Sequence, residues 1–464
     1  MLGLIAACFG LTFALAHDAS WLAAIVYGLF LGSMTTLVAA LRSPSAAFLR
    51  VAAAMYLLNY QSEMYVYIDH GFPGLVPVSR ESVLSAIAVV TVFLVCAFGG
   101  ANAINRWLET RLPTQPKAIA GRHVVGAVVL LAITTAFGAK YGTLTNYGLE
   151  APTIEGGAVR PDLYYSTTLL VTWVAVIEAY IVKKIDIRLA SLLAIVVFVL
   201  LFGFQMRRLV IAAIFFAVFR LAPLFFAMQR KKRDLRAVAV VLVGVGALGG
   251  AFLGSSLWRH VFFEGRGDTM VERMGSLEDV DATELVRSTG KQVRSRLIDL
   301  WSDAAAIEYL PKLESREAAP AVWGQVGHTM PGILYPEKYQ LPYWTCETAF
   351  EKLGLYDDQA CPATAEALLV DGYRGVGIAA LVWLLWLALC TLAWARGGPV
   401  VRLAVVGAWE AVFNLDNSVA LPLTVGLRSA LMVFVCLALV SGALSLIKKG
   451  RSLRLGGVPN GQYN

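Results

Sequence analysis

Residues 187–226 read IRLASLLAIVVFVLLFGFQMRRLVIAAIFFAVFRLAPLFF, two apolar runs joined by Gln205, Met206, Arg207 and Arg208. Each run is close to the roughly 20 residues that cross a bilayer as an α-helix. A bilayer offers the backbone no hydrogen bonds, so such runs must satisfy their amides internally, as helices. The joint is the informative part. Two adjacent charges at a membrane boundary are expensive and tend to be functional, and a guanidinium is the side chain best shaped to grip phosphate in two places at once. The pair suggests a site for an anionic lipid headgroup such as a lipid-linked diphosphate, with Gln205 as a neutral donor beside it. A snorkelling anchor to bulk lipid is the plainer reading.

The same pattern repeats outward from this stretch. The chain has 464 residues, 58% hydrophobic and only 15% charged, far too little charge for a soluble protein of this size. Apolar runs fall at about 1–16, 21–41, 46–66, 82–105, 122–139, 165–182, 187–204, 208–228, 236–257, 374–395, 399–418 and 424–447. The expected fold is an all-α polytopic membrane protein of about 12 transmembrane helices. The third run carries Arg50, Asn59, Gln61 and Glu63, so it must face protein or water rather than lipid. The first run lacks a basic leading region and a small-residue cleavage site, so it reads as a span rather than a signal peptide.

Lys and Arg in the loops set the orientation. One side holds 19 basic residues, among them Arg42, Arg106, Arg111, Arg122, Lys183, Lys184, Arg396 and Arg402, and the short loops of the other side hold five: Arg80, Lys140, Arg160, Arg207 and Arg208. The basic side is expected to be cytoplasmic, with both termini inside. The net charge of +7 is then a sum over two faces, and no nucleic-acid partner is expected. Residues 1–258 hold spans 1–9, 374–447 hold spans 10–12, and 448–464 form a cytoplasmic tail. Between them, residues 259–373 form one large outer (periplasmic) loop with 19 acidic and 11 basic residues. Cys346 and Cys361 are the only cysteines in this loop, and an oxidising compartment favours a disulfide between them.

No long connection follows span six and no repeat relates two halves, which counts against a transporter built of two halves. Further candidates for an anion or sugar site are Arg160 in the loop before span six, Arg428 about a turn into span 12, Arg294 in the run TGKQVRSRLIDLWSDAAAIEYL, and Lys338. Arg428 could equally pair with Glu410 or Asp416. In the run around Arg294, Leu297, Trp301 and Ala304 share one helical stripe with Ile298 and Ala305 beside it, which predicts an amphipathic helix around 289–309. His328 in WGQVGHTMPGILYPEK is the candidate general base, since a hydroxyl attacking a glycosyl diphosphate must lose a proton and imidazole accepts one near neutral pH. No CxxC metal spacing, P-loop or dinucleotide fingerprint is present, so no metal or cofactor is expected.

Three elements of the outer loop, in order, resemble the Wzy-type polymerases of O-antigen and exopolysaccharide repeat units: VRSRLIDLWSDAAAIEYLPK, then WGQVGHTMPGILYPEKY, then TAEALLVDGYRGVGIAALV. Such polymerases commonly carry W-P-x-K-P and a later E-x-x-x-N-x-G-x-x-G-V run; here Tyr335 stands for the Trp, Tyr339 for the second Pro, and Asp371 in the region of the Asn. The resemblance covers about residues 290–380. It implies a metal-independent, inverting glycosyltransferase of the GT-C type in the bacterial inner membrane. A growing glycan on undecaprenyl diphosphate would be donor and a lipid-linked repeat unit acceptor, among bilayer lipids and with a chain-length regulator as a protein partner. Arg207 and Arg208 would hold the diphosphate and stabilise its leaving charge. The related O-antigen ligases use a loop histidine as base, to which His328 could correspond. The alternatives are a ligase that moves the glycan to another acceptor and, in a different class, a transporter or flippase for a lipid-linked sugar.

Overall fold

The computed structural model describes residues 1–61, 64–72, 76–111, 118–140, 165–203, 207–229, 299–309, 362–413 and 421–455. These form fourteen α-helices and no strand among the described residues: α1 (Leu2–Ala16), α2 (Trp21–Ala40), α3 (Ala47–Gln61), α4 (Met64–His70), α5 (Arg80–Leu94), α6 (Gly100–Arg111), α7 (Gly121–Lys140), α8 (Tyr165–Ile181), α9 (Ile187–Gly203), α10 (Arg207–Gln229), α11 (Asp299–Tyr309), α12 (Ala363–Arg396), α13 (Pro399–Phe413) and α14 (Leu421–Leu455).

Five stretches are long and apolar enough to cross a membrane: Trp21–Ala40, Arg80–Arg111, Gly121–Lys140, Ala363–Arg396 and Val425–Ala443. Leu2–Ala16, Tyr165–Ile181, Ile187–Leu200 and Leu209–Pro223 are shorter apolar helices. The protein is a helical, multi-pass membrane protein. The expected span at 236–257 and most of the 259–373 segment lie outside the described residues.

Apolar side chains point outward as well as inward. On α9, Leu192, Ile195 and Val199 are exposed; on α12, Ile378, Leu381, Leu385 and Leu389; on α14, Leu427, Leu431, Val435 and Leu439. In water such stripes would drive aggregation, whereas a bilayer makes them the favourable outer surface. Inside, small residues let backbones meet. Gly28 and Gly32, four apart on α2, face Ala7 of α1, and a Cβ on Gly28 would stand 2.7 Å from the Ala7 carbonyl oxygen. This is the close packing that small residues at four-residue spacing permit between membrane helices.

The third span is described as α3 and α4. As its polar residues require, α3 is mostly enclosed by protein: Asn59 is buried and Gln61 accepts a hydrogen bond from the Tyr27 hydroxyl at 3.1 Å. The fourth span is longer than expected, because a π-helical turn at Val95–Gly99 carries α5 into α6.

Polar contacts gather at two opposite ends of the helices. At the basic end, Arg106 donates to the Ala40 carbonyl at 2.6 Å, Arg396 to the Leu108 carbonyl at 2.8 Å, and the Ser43 and Ser45 hydroxyls to Glu109. At the other end the Ser20 amide and hydroxyl donate to Asp69 at 2.6 and 2.5 Å, and Arg80 pairs with Asp69 at 2.9 Å. Residues 17–20, Asp69 and Arg80 all belong to segments expected on the outer side, so the contact agrees with one topology.

Candidate functional site

The polar 259–373 segment contributes α11 and the first part of α12 to the described residues, and α11 packs onto the non-basic end of the spans. Its expected inward stripe holds: Trp301, Ala304 and Ala305 are buried. Burial goes further than the stripe, because Leu300, Ser302, Asp303 and Ala306 are buried too. The helix is enclosed on several sides by α3, α5 and α12.

Its attachments are specific. The Trp301 indole N–H donates to the Val76 carbonyl at 3.1 Å and the Tyr309 hydroxyl to the Pro77 carbonyl at 3.2 Å. Glu308 Oε2 accepts from the Ser79 amide at 3.2 Å, the Ser79 hydroxyl at 2.5 Å and the Ser82 hydroxyl at 2.6 Å. Ser79 is the N-cap of α5. A carboxylate there complements the positive end of the helix dipole and satisfies an amide that the helix leaves open.

Asp303 lies at the centre of this contact and is fully buried. Its Oδ2 accepts from the Tyr60 hydroxyl of α3 at 3.0 Å. Its Oδ1 and the nearby Thr364 hydroxyl of α12 are buried without a hydrogen-bond partner among the described residues. Burial pushes the Asp303 carboxyl up to about 7, while the Thr364 and Tyr60 hydroxyls act in the lowering direction. A carboxyl poised near neutrality can give or take a proton at small cost, and such groups concentrate at functional sites.

The wall opposite Asp303 is the first part of α12. Ala363, Thr364, Ala365, Glu366, Ala367, Leu368 and Leu369 are all buried. The helix then breaks at Asp371 (φ −149°, ψ 31°) and Gly372 (φ 56°, ψ −145°) before the membrane span proper. That break explains why the span was expected to begin at 374. Gly375 packs beneath it, where a Cβ would come within 2.2 Å of the Ala367 carbonyl oxygen. Arg374 and Asp371 pair at 3.6 Å on the exposed side of the break.

A second polar cluster joins α8 and α13. Glu410 accepts hydroxyls from Ser166, at 2.5 Å, and Thr167. It lies three residues before the C-terminus of α13, and its partners open α8. A third cluster marks the opposite end. Glu178, close to the end of α8, pairs with Arg220 of α10 at 2.6 Å and with Arg402 of α13 at 3.0 Å. Arg402, expected among the rim arginines, is instead buried, with its guanidinium 4.3 Å from the Trp394 ring.

This third cluster locates the arginine pair. Helix α10 begins at Arg207. With 1.5 Å per residue, its first turn lies about 20 Å along the axis from Arg220, towards the end that carries Ser166, Thr167 and Glu410. The pair therefore stands at the first described residues of α10, at that end.

Arg428 is exposed on α14. His328, Arg160, Arg294, Gln205, Lys338, Cys346 and Cys361 lie outside the described residues, as does Asp416. The four cysteines within them, Cys8, Cys96, Cys390 and Cys436, are free thiols. Sequence reasoning missed Asp303; the available signal was an acid within the run LWSDAAAI, whose neighbours are otherwise apolar or small. Comparison with protein families, curated proteins and solved structures yields no match.

Proposed function

We propose that this protein is a metal-independent glycosyltransferase that polymerises undecaprenyl-diphosphate-linked repeat units into O-antigen or exopolysaccharide. It works at the periplasmic face of the bacterial inner membrane, with both termini cytoplasmic. The observation that carries this reading is the seating of α11 on the first part of α12. These are two of the three elements that resemble Wzy-type polymerases, and between them lies Asp303, with a carboxyl near neutrality. In this reading Arg207 and Arg208 hold the donor diphosphate as leaving group and stabilise its developing charge. Arg294, Arg160, Arg428, Gln205 and Lys338 serve the anion or the sugars, and His328 takes the proton of the attacking hydroxyl.

The test is deletion of the gene followed by analysis of lipid-linked sugars, then assay of the purified protein with a lipid-linked repeat unit. Single repeat units stranded on the outer leaflet, and long chains made in the purified assay, are expected. Units left on the cytoplasmic leaflet would identify a flippase instead. Chains of normal length that fail to reach their final acceptor would identify a ligase.

A further inference from the structure

A hollow of about 470 Å³ opens on the surface between α5 and α12. Its floor is buried, with Phe93 on one side and Val376 and Ala380 on the other. Its walls, Val92 on α5 and Leu381 on α12, are exposed apolar side chains on the lipid-facing surface. The hollow exists because facing positions are small. Ala88 stands on α5, and on α12 an added Cβ at Gly377 would meet no atom within 4 Å. At one end the helices close, since a Cβ on Gly100 would come within 2.4 Å of the Leu384 side chain. At the other end α11 packs on both α5 and α12.

Every lining residue is apolar apart from the Tyr373 hydroxyl and the Cys96 thiol. Such a hollow holds no water and takes hydrocarbon. From Ala88 to Cys96 it runs about 12 Å along the helix, most of the roughly 15 Å that one leaflet's hydrocarbon occupies. It therefore fits one chain of a lipid standing upright in the leaflet at the non-basic end.

The mouth of the groove selects the headgroup. Arg374 lies two turns above Leu381 on the same helical line. It pairs with Asp371 at 3.6 Å, and both side chains are exposed. That separation is long for a charge-assisted hydrogen bond, and an exposed pair is weakly held, so a ligand carrying both charges can take its place. Asp371 lies in the helix break and Arg374 within the span, which sets the cation nearer the hydrocarbon than the carboxylate. Phosphatidylethanolamine carries its charges in the matching order, phosphate next to the chains and ammonium beyond. An anionic lipid would meet Arg374 but bring no cation to Asp371.

We propose that the groove between α5 and α12 binds one chain of a zwitterionic phospholipid, whose phosphate rests on Arg374 and whose primary ammonium rests on Asp371. The ammonium supplies N–H donors to the carboxylate, which the trimethylated ammonium of phosphatidylcholine lacks. Bound there, the lipid fills the hollow beside the seat of α11. The site is separate from the Asp303 contact and does not depend on the proposed glycosyl transfer.

The experiment titrates the full chain, purified in a mild detergent, with phosphatidylethanolamine, phosphatidylglycerol and phosphatidylcholine, and counts bound lipid by native mass spectrometry. The wild type is expected to retain one phosphatidylethanolamine in preference to the other two. Gly377→Phe, which fills the hollow where no atom stands in the way, should lose it. Leu389→Phe, at an exposed position further along α12 and outside the groove lining, should bind as wild type. Asp371→Asn should cut the preference for phosphatidylethanolamine over phosphatidylglycerol by up to about fivefold, the size of an exposed ion pair, and Arg374→Gln should weaken both. Equal retention in Gly377→Phe and wild type overturns the proposal, as does a preference that Asp371→Asn leaves unchanged. Retention of phosphatidylglycerol over phosphatidylethanolamine overturns it too. If Gly377→Phe does not fold, Ala88→Leu fills the groove from the facing wall, and unweakened binding there overturns it equally.

Discussion

Glu178 of α8 and Arg402 of α13 meet at 3.0 Å, Oε2 to Nη2, although 224 residues separate them in sequence. Arg220 of α10 takes the other carboxylate oxygen, so one buried acid joins three helices. Replacing Glu178 by Gln leaves two guanidinium groups facing each other with little solvent. The expected loss is about 3–5 kcal/mol, typical of a buried pair broken on one side. Adding Arg402→Met to Glu178→Gln should recover part of it. Thermal unfolding of the purified variants measures both, and a double variant less stable than the single one would contradict the charge argument.

Asp303 predicts a pH dependence of known sign. Its folded-state pKa, about 7, lies above the ordinary aspartate value, so the folded protein holds a proton that the unfolded chain releases. Stability from this group is full below the unfolded pKa and falls as pH rises through about 4 to 7. Asp303→Asn keeps the shape without the charge and should flatten that slope. Hydrogen exchange of the α11 amides across this pH range reads the effect; an unchanged slope in the variant would assign the dependence to another group.

Asp69 has the opposite sign. Burial works to raise its pKa, but the Ser20 hydroxyl and amide and the Arg80 charge together hold it below the usual aspartate range. Its contribution is present above the unfolded pKa and lost as the pH falls through the lower folded value. Asp69→Ala should cost about 1–2 kcal/mol at neutral pH, mostly from the two hydrogen bonds, since Arg80 is largely solvated. A denaturant midpoint series from pH 7 to 3 should show the variant and wild type converging in acid.

Gly372 occupies a backbone region that side chains avoid (φ 56°, ψ −145°). Gly372→Ala should therefore destabilise by about 1–3 kcal/mol, more than the same change at Gly377, where an added Cβ meets open space. The comparison is made by unfolding midpoints of the two variants side by side.

For the proposed activity, Arg207→Ala and Arg208→Ala should shorten or deplete the polymer without lowering protein abundance, with Lys restoring only part. Electrophoresis of the extracted polysaccharide, alongside a membrane immunoblot, decides. Full-length polymer from the double Ala variant would remove the pair from the diphosphate site.

The membrane architecture was legible wherever an apolar run was long, as in α2, α7 and the second part of α12. Even the start at 374 was readable, because Asp371 and Gly372 interrupt the hydrophobic pattern. The enclosure of α3 was legible too, because Arg50, Asn59 and Gln61 argue against a lipid-facing helix. The inward face of α11 followed from Trp301, Ala304 and Ala305. Asp303 did not, because its burial comes from Tyr60 and Thr364, far away in sequence. Arg402 misled for a related reason. Counted by position it is a rim charge; only the fold brings Glu178 to it.

The separation of charge into two rims has a mechanical consequence. Between the Glu178 triad and the Ser166–Thr167–Glu410 cluster, α8, α10 and α13 touch mainly through apolar side chains. α8 and α13 are tied at both rims, by Arg402 on Glu178 at one end and by the Ser166 and Thr167 hydroxyls on Glu410 at the other. A pair of helices held at both ends is expected to turn as one strut, carrying a displacement at one rim to the other.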